Sequence, residues 1–368
     1  MSVGLFFFIL LGCVLLNVSF YFYFSKVTFF KPKSFEKNVT PVSVIVCAKN
    51  EAENLKELVP QLLSQNHPDF EIILINDASI DETRYVIEDF VEKHPNIHFV
   101  NVINNESFWA NKKYALTLGI KKAVNEHLVF IDADCRPASD QWLVQMSEPL
   151  IDSTTIVLGY GGYLKVKNSL LNALIRFETV LAAMQYIGYA LRGNPYMGVG
   201  RNLAYTSKQF YDVSGFMSHM KVMGGDDDLF VNEAATKNNV AVVIDPDAFT
   251  ISKPKLQWKK WWTQKKRHVG TAKRYKTKHK FSLGLFFLSQ VLFFVAVILG
   301  FVFGLQWEAI LSLVLLRYLI VMIIMGKGLS RFRESELIPF FPLLELLLIF
   351  CQLGLFMSNT SSEPKRWK

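Results

Sequence analysis

Residues 131–135 read Ile-Asp-Ala-Asp-Cys at the end of an apolar run, setting two carboxylates one small residue apart. Oxygen ligands in that arrangement suit a hard divalent cation, Mg²⁺ or Mn²⁺. Such an ion keeps waters and completes its shell with substrate phosphates, so Asp132 and Asp134 would suffice. The same pair also serves as turn or helix-capping chemistry. A second cluster, Gly-Gly-Asp-Asp-Asp-Leu-Phe at 224–230, places three carboxylates after two glycines and before a helical pattern. A helix N-terminus accommodates such charge through its dipole. The chemical alternative is a general base, its proton affinity raised by its neighbours and aimed at an acceptor hydroxyl, with Asp226, Asp227 and Asp228 all open for the role. The third cluster, LQWKKWWTQKKRH at 256–268, sets Trp258, Trp261 and Trp262 among lysines. The rings suit a membrane interface, and a helix there turns Gln264, Arg267 and His268 towards a departing diphosphate.

A frame must bring these residues together. Short β-rich runs, VSVIVC (42–47), EIILIN (71–76), IHFVNV (97–102) and HLVFID (127–132), alternate with helical patterns at 51–66, 80–93 and 110–123. That succession predicts a parallel sheet with helices on both faces. Ligands of such sheets gather at the carboxyl ends of the strands. Here the strand ends lead into Asn50 and Glu51, Asn76 and Asp77, and Asp132 and Asp134, which predicts one crevice. The first strand continues as AKNEAEN rather than as a G-x-G-x-x-G turn, which argues against a dinucleotide-dependent dehydrogenase. The apolar stretch 170–191, with Arg176, Glu178 and Gln185, predicts a further interfacial or core helix.

The composition adds a membrane. Of 368 residues 51% are hydrophobic and 20% charged, and the mean hydropathy is +0.23, high for a chain that must keep its whole surface wet. Residues 3–24 carry no charge and are long enough to cross about 30 Å of hydrocarbon. The absence of a basic leader segment favours an uncleaved anchor over a signal peptide. Lys26, Lys31, Lys33 and Lys37 follow, placing the next segment in the cytoplasm. Runs at 281–305 and 309–325 predict a membrane hairpin, and a third run at 338–357, interrupted by Pro339, Pro342 and Glu345, is left open between spanning and re-entrant. The tail cations Lys365, Arg366 and Lys368 prefer a cytoplasmic C-terminus. The net charge of +8 is one patch: residues 253–280 hold twelve Lys and Arg, two His and no acid. Its position beside an apolar run points to lipid headgroups or a diphosphate, and no nucleic-acid partner is expected. The four cysteines form no C-x-x-C pair, which argues against structural zinc and a disulfide framework.

Together these stretches resemble membrane-bound family 2 glycosyltransferases of the nucleotide-sugar-binding GT-A fold, similar to ceramide glucosyltransferases and polysaccharide synthases, over about residues 40–280. VSVIVCAKNEAENL resembles the family's first strand and helix. INDASIDET resembles its Asp-Asp-x-Ser-x-Asp turn with Asn76 for the first Asp, and NKKYAL its Gly-Lys-x-x-Ala-Leu with Asn111 for Gly. The resemblance implies that Glu51 and Asp77 contact the donor's base or ribose and that Lys112 approaches the nucleotide. It also implies that Asp132 and Asp134 hold the metal, with Asp132 facing the donor as well. Aligned on Leu229, the family's Glu-Asp-x-Asp-Leu puts Asp226 as the base and Gly225 in the Glu position; a register using Asp227 stays open. QKKRH is similar to Gln-x-x-Arg-Trp, with His268 for Trp, and implies Gln264, Arg267 and His268 at the diphosphate or acceptor.

What the resemblance implies overall is an α/β domain with a mostly parallel sheet flanked by helices, plus transmembrane helices at both ends. The expected division is an anchor at 1–25, a catalytic domain at 40–250, a basic interfacial segment at 251–280, a membrane region of two to three segments at 281–357, and a tail at 358–368. The implied protein is multi-pass with a cytoplasmic catalytic domain. Its implied activity is inverting, Mg²⁺- or Mn²⁺-dependent hexosyl transfer from a nucleotide-diphospho-sugar, a UDP-sugar favoured, to a hydroxyl or phosphate of a lipid or glycan. Processive polysaccharide synthesis, with helices supplied by a homo-oligomer or a partner, is the rival; a catalytically silent nucleotide-sugar-binding scaffold is a third reading.

Overall fold

The computed structural model of the chain describes residues 3–31, 40–103 and 112–359. Lys33, Lys37, Asn111 and the tail cations Lys365, Arg366 and Lys368 lie outside the described residues. After a first helix α1 (Val3–Thr28), the expected alternation follows: β1 (Val42–Ala48), α2 (Ala52–Leu63), β2 (Phe70–Asp77), α3 (Thr83–Lys93), β3 (Ile97–Val102), α4 (Lys112–Lys122) and β4 (His127–Phe130). Then come β5 (Cys135–Pro137), α5 (Trp142–Ser147), β6 (Ile156–Leu158), β7 (Gly161–Tyr163), α6 (Leu170–Leu191), β8 (Leu203–Thr206), α7 (Ser207–Asp212), α8 (Asp228–Ala234), β9 (Val240–Val242) and β10 (Thr250–Ser252). The chain ends with α9 (Trp258–Ala272), α10 (Thr277–Val302), α11 (Trp307–Arg331) and α12 (Phe341–Asn359).

The main sheet has the order β3-β2-β1-β4-β8-β6-β9. β1, β2, β3 and β4 pair in parallel, as do β6 and β9, whereas β8 runs antiparallel to both β4 and β6. The expectation of a parallel sheet therefore holds for the first half and becomes a mixed sheet in the second. The later strands are three or four residues long, too short to leave a periodic signal, and their partners are fixed by tertiary pairing. A second sheet, β5-β10-β7, was also silent in the sequence.

Continuous apolar runs make β1 and β2 buried on both faces. Leu55, Leu58, Val59 and Leu62 of α2 recur at helical spacing and cover one face with Ile72 and Leu74. Ala115, Leu116 and Ile120 of α4 cover the other with Ile45, Ile73 and Ile75. A Cβ on Gly119 would lie 2.2 Å from Ile75 Cδ1, so glycine lets α4 approach the sheet and fixes where its first residue, Lys112, emerges.

Among the described residues four helical segments are long and apolar enough to cross a membrane, one before the catalytic domain and three after it. Phe6 stacks on Phe303 at 4.4 Å and Phe24 meets Phe286 at 5.2 Å, so α1 and α10 run antiparallel. The ends of α1 and α11 converge: Arg331 donates to Thr28 O at 3.1 Å and Phe30 O at 2.6 Å, satisfying carbonyls that a helix end leaves without partners. Arg317 lies fully buried between these helices. It donates to Asn17 Oδ1 at 3.0 Å and to Glu345 Oε2 at 2.6 Å, while Tyr21 donates to Glu345 Oε1 at 3.1 Å. Glu345→Ala strands the guanidinium, which costs about 3–5 kcal/mol when a buried pair loses one partner. A lowered thermal midpoint of the detergent-solubilised protein, with Glu345→Gln retaining more stability, is the expected result.

Candidate active site

The turns after β1 and β2 are woven into one surface. Asn50 (φ 56°) and Ala78 (φ 51°) both adopt left-handed backbone. Asn50 N–H donates to Ser79 Oγ at 2.9 Å, Ile80 N–H donates back to Asn50 Oδ1 at 2.9 Å, and Ser79 N–H donates to Asn76 Oδ1 at 3.1 Å. The amide at 76 also donates to Asn101 Oδ1 at 2.8 Å. A carboxylate could not donate that bond, which accounts for Asn where the family has Asp. Glu51 opens α2, its N–H held by Thr83 Oγ1 at 2.8 Å and its carboxylate by Asn54 Nδ2 at 2.6 Å. Asp77 is 3% exposed. Lys49 Nζ stands 3.6 Å from its Oδ2, which accepts no hydrogen bond among the described residues. A buried acceptor in that condition is set to receive a donor from a ligand.

Lys112, at the start of α4, reaches Asp132 at 2.7 Å and Asp226 at 2.9 Å. Burial alone would lower the affinity of Lys112 for its proton, but the two carboxylates outweigh it and hold the ammonium charged. A narrow cavity lined by Cys47, Lys112, Asp132, Gly200, Tyr205 and Asp226 opens at this junction. Asp132, Asp134 and Cys135 offer ligand atoms within 4.8 Å of one another. Burial, then Asp134 and Asp132, push the Cys135 thiol up, and its sulfur lies 3.0 Å from Ser252 Oγ. A protonated thiol does not serve a hard cation, so the two carboxylates are the pair that fits one.

The acidic trio divides its labour. Gly224 (φ 86°) and Gly225 (φ 85°) make a left-handed turn, and a Cβ on Gly225 would lie 2.5 Å from Leu229 Cδ1. This is why glycine, and not Glu, precedes Asp226. Asp226 faces the cavity and Lys112. Asp227 is turned away: it caps α8, Oδ1 accepting from Asp228 N–H at 2.7 Å, and its Oδ2 accepts from Gly200 N–H at 2.7 Å. Burial, then Asp226 and Asp228, raise the Asp227 carboxyl to about 8. Reach to the substrate ranks ahead of pKa in choosing a base, and both oxygens of Asp227 are occupied by backbone. Asp228 accepts from Thr271 Oγ1 at 2.5 Å and Tyr275 Oη at 2.7 Å, tying α8 to α9 and to the turn beyond it.

On α9, Gln264, Arg267 and His268 share one side of the helix, and Lys265 pairs with Glu178 of α6 at 2.7 Å. His268 keeps solvent access. Packing of the protein around it, then the cations Lys265, Arg267 and Arg201, lower the affinity of its imidazole for a proton and favour the neutral ring. Two residues here gave no sequence signal. Arg201 donates to Gly161 O at 2.6 Å and Ser252 Oγ at 3.2 Å and stacks over Tyr163 at 4.3 Å, adding a fixed cation beside β5. Lys113, 1% exposed, donates to three carbonyls, His219 at 2.5 Å, Val222 at 2.6 Å and Gly224 at 2.7 Å. It clamps the loop that leads into Asp226. Lys113→Met strands three buried carbonyls, at about 1–3 kcal/mol each. A fall in thermal midpoint together with new protease sensitivity in 217–225 is expected, whereas unchanged protection would show that the clamp is dispensable.

Residues 43–214 match the profile described as glycosyl transferase family 2. The chain carries a family 2 glycosyltransferase domain over those residues. Poly-beta-1,6-N-acetyl-D-glucosamine synthase of Staphylococcus epidermidis is 36% identical over 102 residues, 28% of this chain and 24% of that protein, so the match spans about a quarter of the relative's length. Probable glycosyltransferase YdaM of Bacillus subtilis is 24% identical over 295 residues, covering 75% of this chain and 69% of that protein. Among solved structures, the mannosyltransferase PcManGT of Pyrobaculum calidifontis in complex with GDP-Man and Mn²⁺ superposes with a TM-score of 0.58 at 16% identity, covering 95% of this chain and 99% of that one. At that identity the likeness is one of fold, and the family 2 domain here has the GT-A architecture, joined to candidate transmembrane helices at both ends.

Proposed function

We propose that this family 2 glycosyltransferase moves a sugar, with inversion, from a nucleotide-diphospho-sugar to an acceptor presented at the cytoplasmic membrane face, and that the acceptor is a lipid. The observation that carries the reading is the meeting of Asp132 and Asp226 on Lys112 at 2.7 and 2.9 Å. Two motifs almost a hundred residues apart thereby place a diphosphate-side acid and a base-side acid on one cavity. Glu51, Asp77 and Lys112 are assigned to the donor, Asp132 and Asp134 to a divalent cation, Mg²⁺ or Mn²⁺, and Asp226 to the base.

In this mechanism Asp226 takes the proton of the acceptor hydroxyl as its oxygen attacks the anomeric carbon. The anomeric carbon–phosphate oxygen bond breaks on the opposite side, and the pair of electrons leaves with the nucleoside diphosphate. Bound at Asp132 and Asp134, the cation would neutralise charge on that leaving group. Arg267 and Arg201 add fixed positive charge, and neutral His268 offers a ring N–H without competing for the proton. The surroundings of α9 favour a membrane-borne acceptor. Trp261 is buried, Trp258 is exposed, and the helix packs against α12 and pairs with α6 through Lys265 and Glu178, so the site's cationic wall stands where headgroups would lie.

Processive polymer synthesis is the second reading, favoured by the similarity to the Staphylococcus epidermidis polysaccharide synthase. Purified full-length protein in lipid nanodiscs, given Mg²⁺ or Mn²⁺ and a panel of nucleotide sugars, separates the two by mass spectrometry. A lipid carrying one sugar is the expected product. A ladder of oligosaccharides would replace this reading with the processive one, and bound cation without transfer or donor hydrolysis would leave a silent scaffold.

A further inference from the structure

Length and composition make the last helical segment, residues 335–358, a candidate span like the other three. Its neighbours say otherwise. The domain side of the bundle is marked by the end of α11, where Phe332 packs on Tyr160 at 4.3 Å and on Phe249 at 5.9 Å, both in the catalytic domain. The far side is marked by the connection between α10 and α11, next to Phe303 and the start of α1. A helix of 19 residues is about 28 Å long, so a crossing α12 would have one end at each mark.

Both ends of α12 meet elements that belong to the domain side. Just before it, Glu334 and Glu336 pair with Arg176 of α6 at 2.8 and 2.6 Å, and its first residue, Phe341, packs on Phe177 at 5.6 Å. At its other end, a Cβ on Gly354 would lie 2.8 Å from the Trp262 ring of α9. Lys266 of α9 donates to Ser358 O at 3.4 Å, and Phe356 meets Phe287 at 5.2 Å. Phe287 adjoins Phe286, which packs on Tyr21 and Phe24 of α1, while Phe341 lies 6.4 Å from Tyr318, the neighbour of Arg317. Arg317 and Tyr21 both bind Glu345, so the start, middle and end of α12 lie near one layer of the bundle.

We propose that α12 does not cross the bilayer but lies along the leaflet on the catalytic-domain side, its outer face in contact with acyl chains. The chain then crosses three times within the described residues, and residue 359 returns to the side of the domain. Leu343, Leu346, Phe350 and Met357 are exposed by 57, 36, 62 and 76% and recur at helical spacing as one apolar stripe. Leu344, Glu345, Leu348 and Leu355 occupy the buried side. A stripe of that kind fits hydrocarbon, and it continues the exposed apolar surface of α10 and α11. Glu345 anchors the middle of the helix on Arg317, and α6 and α9 cover it from the domain. The sequence cations Lys365, Arg366 and Lys368 favour the same side for the C-terminus.

The inference rests on the membrane-embedded reading, and the test keeps the two apart. Full-length chains carry one epitope tag each: after Asp152 in the domain, in the Gly304–Gln306 connection, or at the C-terminus. They are assayed in sealed vesicles with an impermeant protease before and after permeabilisation. The expected result is that the C-terminal tag is cut to the same fraction as the domain tag, with the connection tag showing the opposite sidedness. A C-terminal tag that follows the connection tag makes α12 a fourth crossing and overturns the proposal. A connection tag that follows the domain tag removes the α10–α11 hairpin from the membrane and overturns the embedded reading itself.

Discussion

Asp226→Asn is expected to lower kcat by about 10²–10⁴-fold, the range for loss of a positioned general base, while the fold and cation binding persist. The expectation follows from access. Asp226 lines the cavity and its ion-pair partner there is Lys112, which an incoming donor and acceptor can draw away. Lys112 keeps Asp132 when Asp226 is neutralised, and the amide relieves like-charge repulsion within the trio. Asp227→Asn is the control with the opposite signature. Its one remaining acceptor oxygen keeps the cap of α8, but its amide NH₂ cannot accept from Gly200 N–H, a loss of about 1 kcal/mol in stability for that hydrogen bond, with the chemical step reached only through loosened geometry. Measuring kcat, KM and thermal midpoint for both variants decides the assignment. If Asp226→Asn turns over at the wild-type rate and Asp227→Asn does not, the base is Asp227.

Asp134→Ala is expected to reduce kcat/KM by about 10³-fold. Neutralising a leaving diphosphate is worth several kcal/mol, and each 1.36 kcal/mol is a tenfold change in rate. Asp134 is the cleaner position because Asp132 also holds Lys112, so Asp132→Ala would release a cation and lose a ligand together. Binding of Mn²⁺, followed by its electron paramagnetic resonance signal, should weaken in parallel with the rate, and excess chelator should bring the wild type down to the level of the variant. Turnover that survives both chelator and Asp134→Ala would show that the fixed cations Lys112, Arg201 and Arg267 neutralise the leaving group unaided.

Much of this protein was legible in the residues themselves. The runs at 42–47, 71–76 and 127–132 are apolar on both faces because helices cover both sides of the sheet, the run at 97–102 is its half-buried edge, and this local signal survives whatever the rest of the chain does. The same holds for α6, seen in the sequence at 170–191 and found at Leu170–Leu191. The Asp-Ala-Asp and Asp-Asp-Asp clusters stand out because adjacent carboxylates repel and must be kept in place by their surroundings.

What the sequence left open was settled by long-range contacts. Three adjacent aspartates are the same residue in one dimension; in space one faces a cavity, one caps a helix and binds Gly200, and one is held by Thr271 and Tyr275. Lys112 and Lys113 are likewise indistinguishable by type, yet a helix turns one to the acids and the other to three carbonyls. Arg201 and the short antiparallel strands carry no periodic mark at all. The final apolar run is as long as a span. Hydropathy records only the composition of such a segment; its direction is set by where its two ends find partners, Phe177 at one and Trp262 and Lys266 at the other.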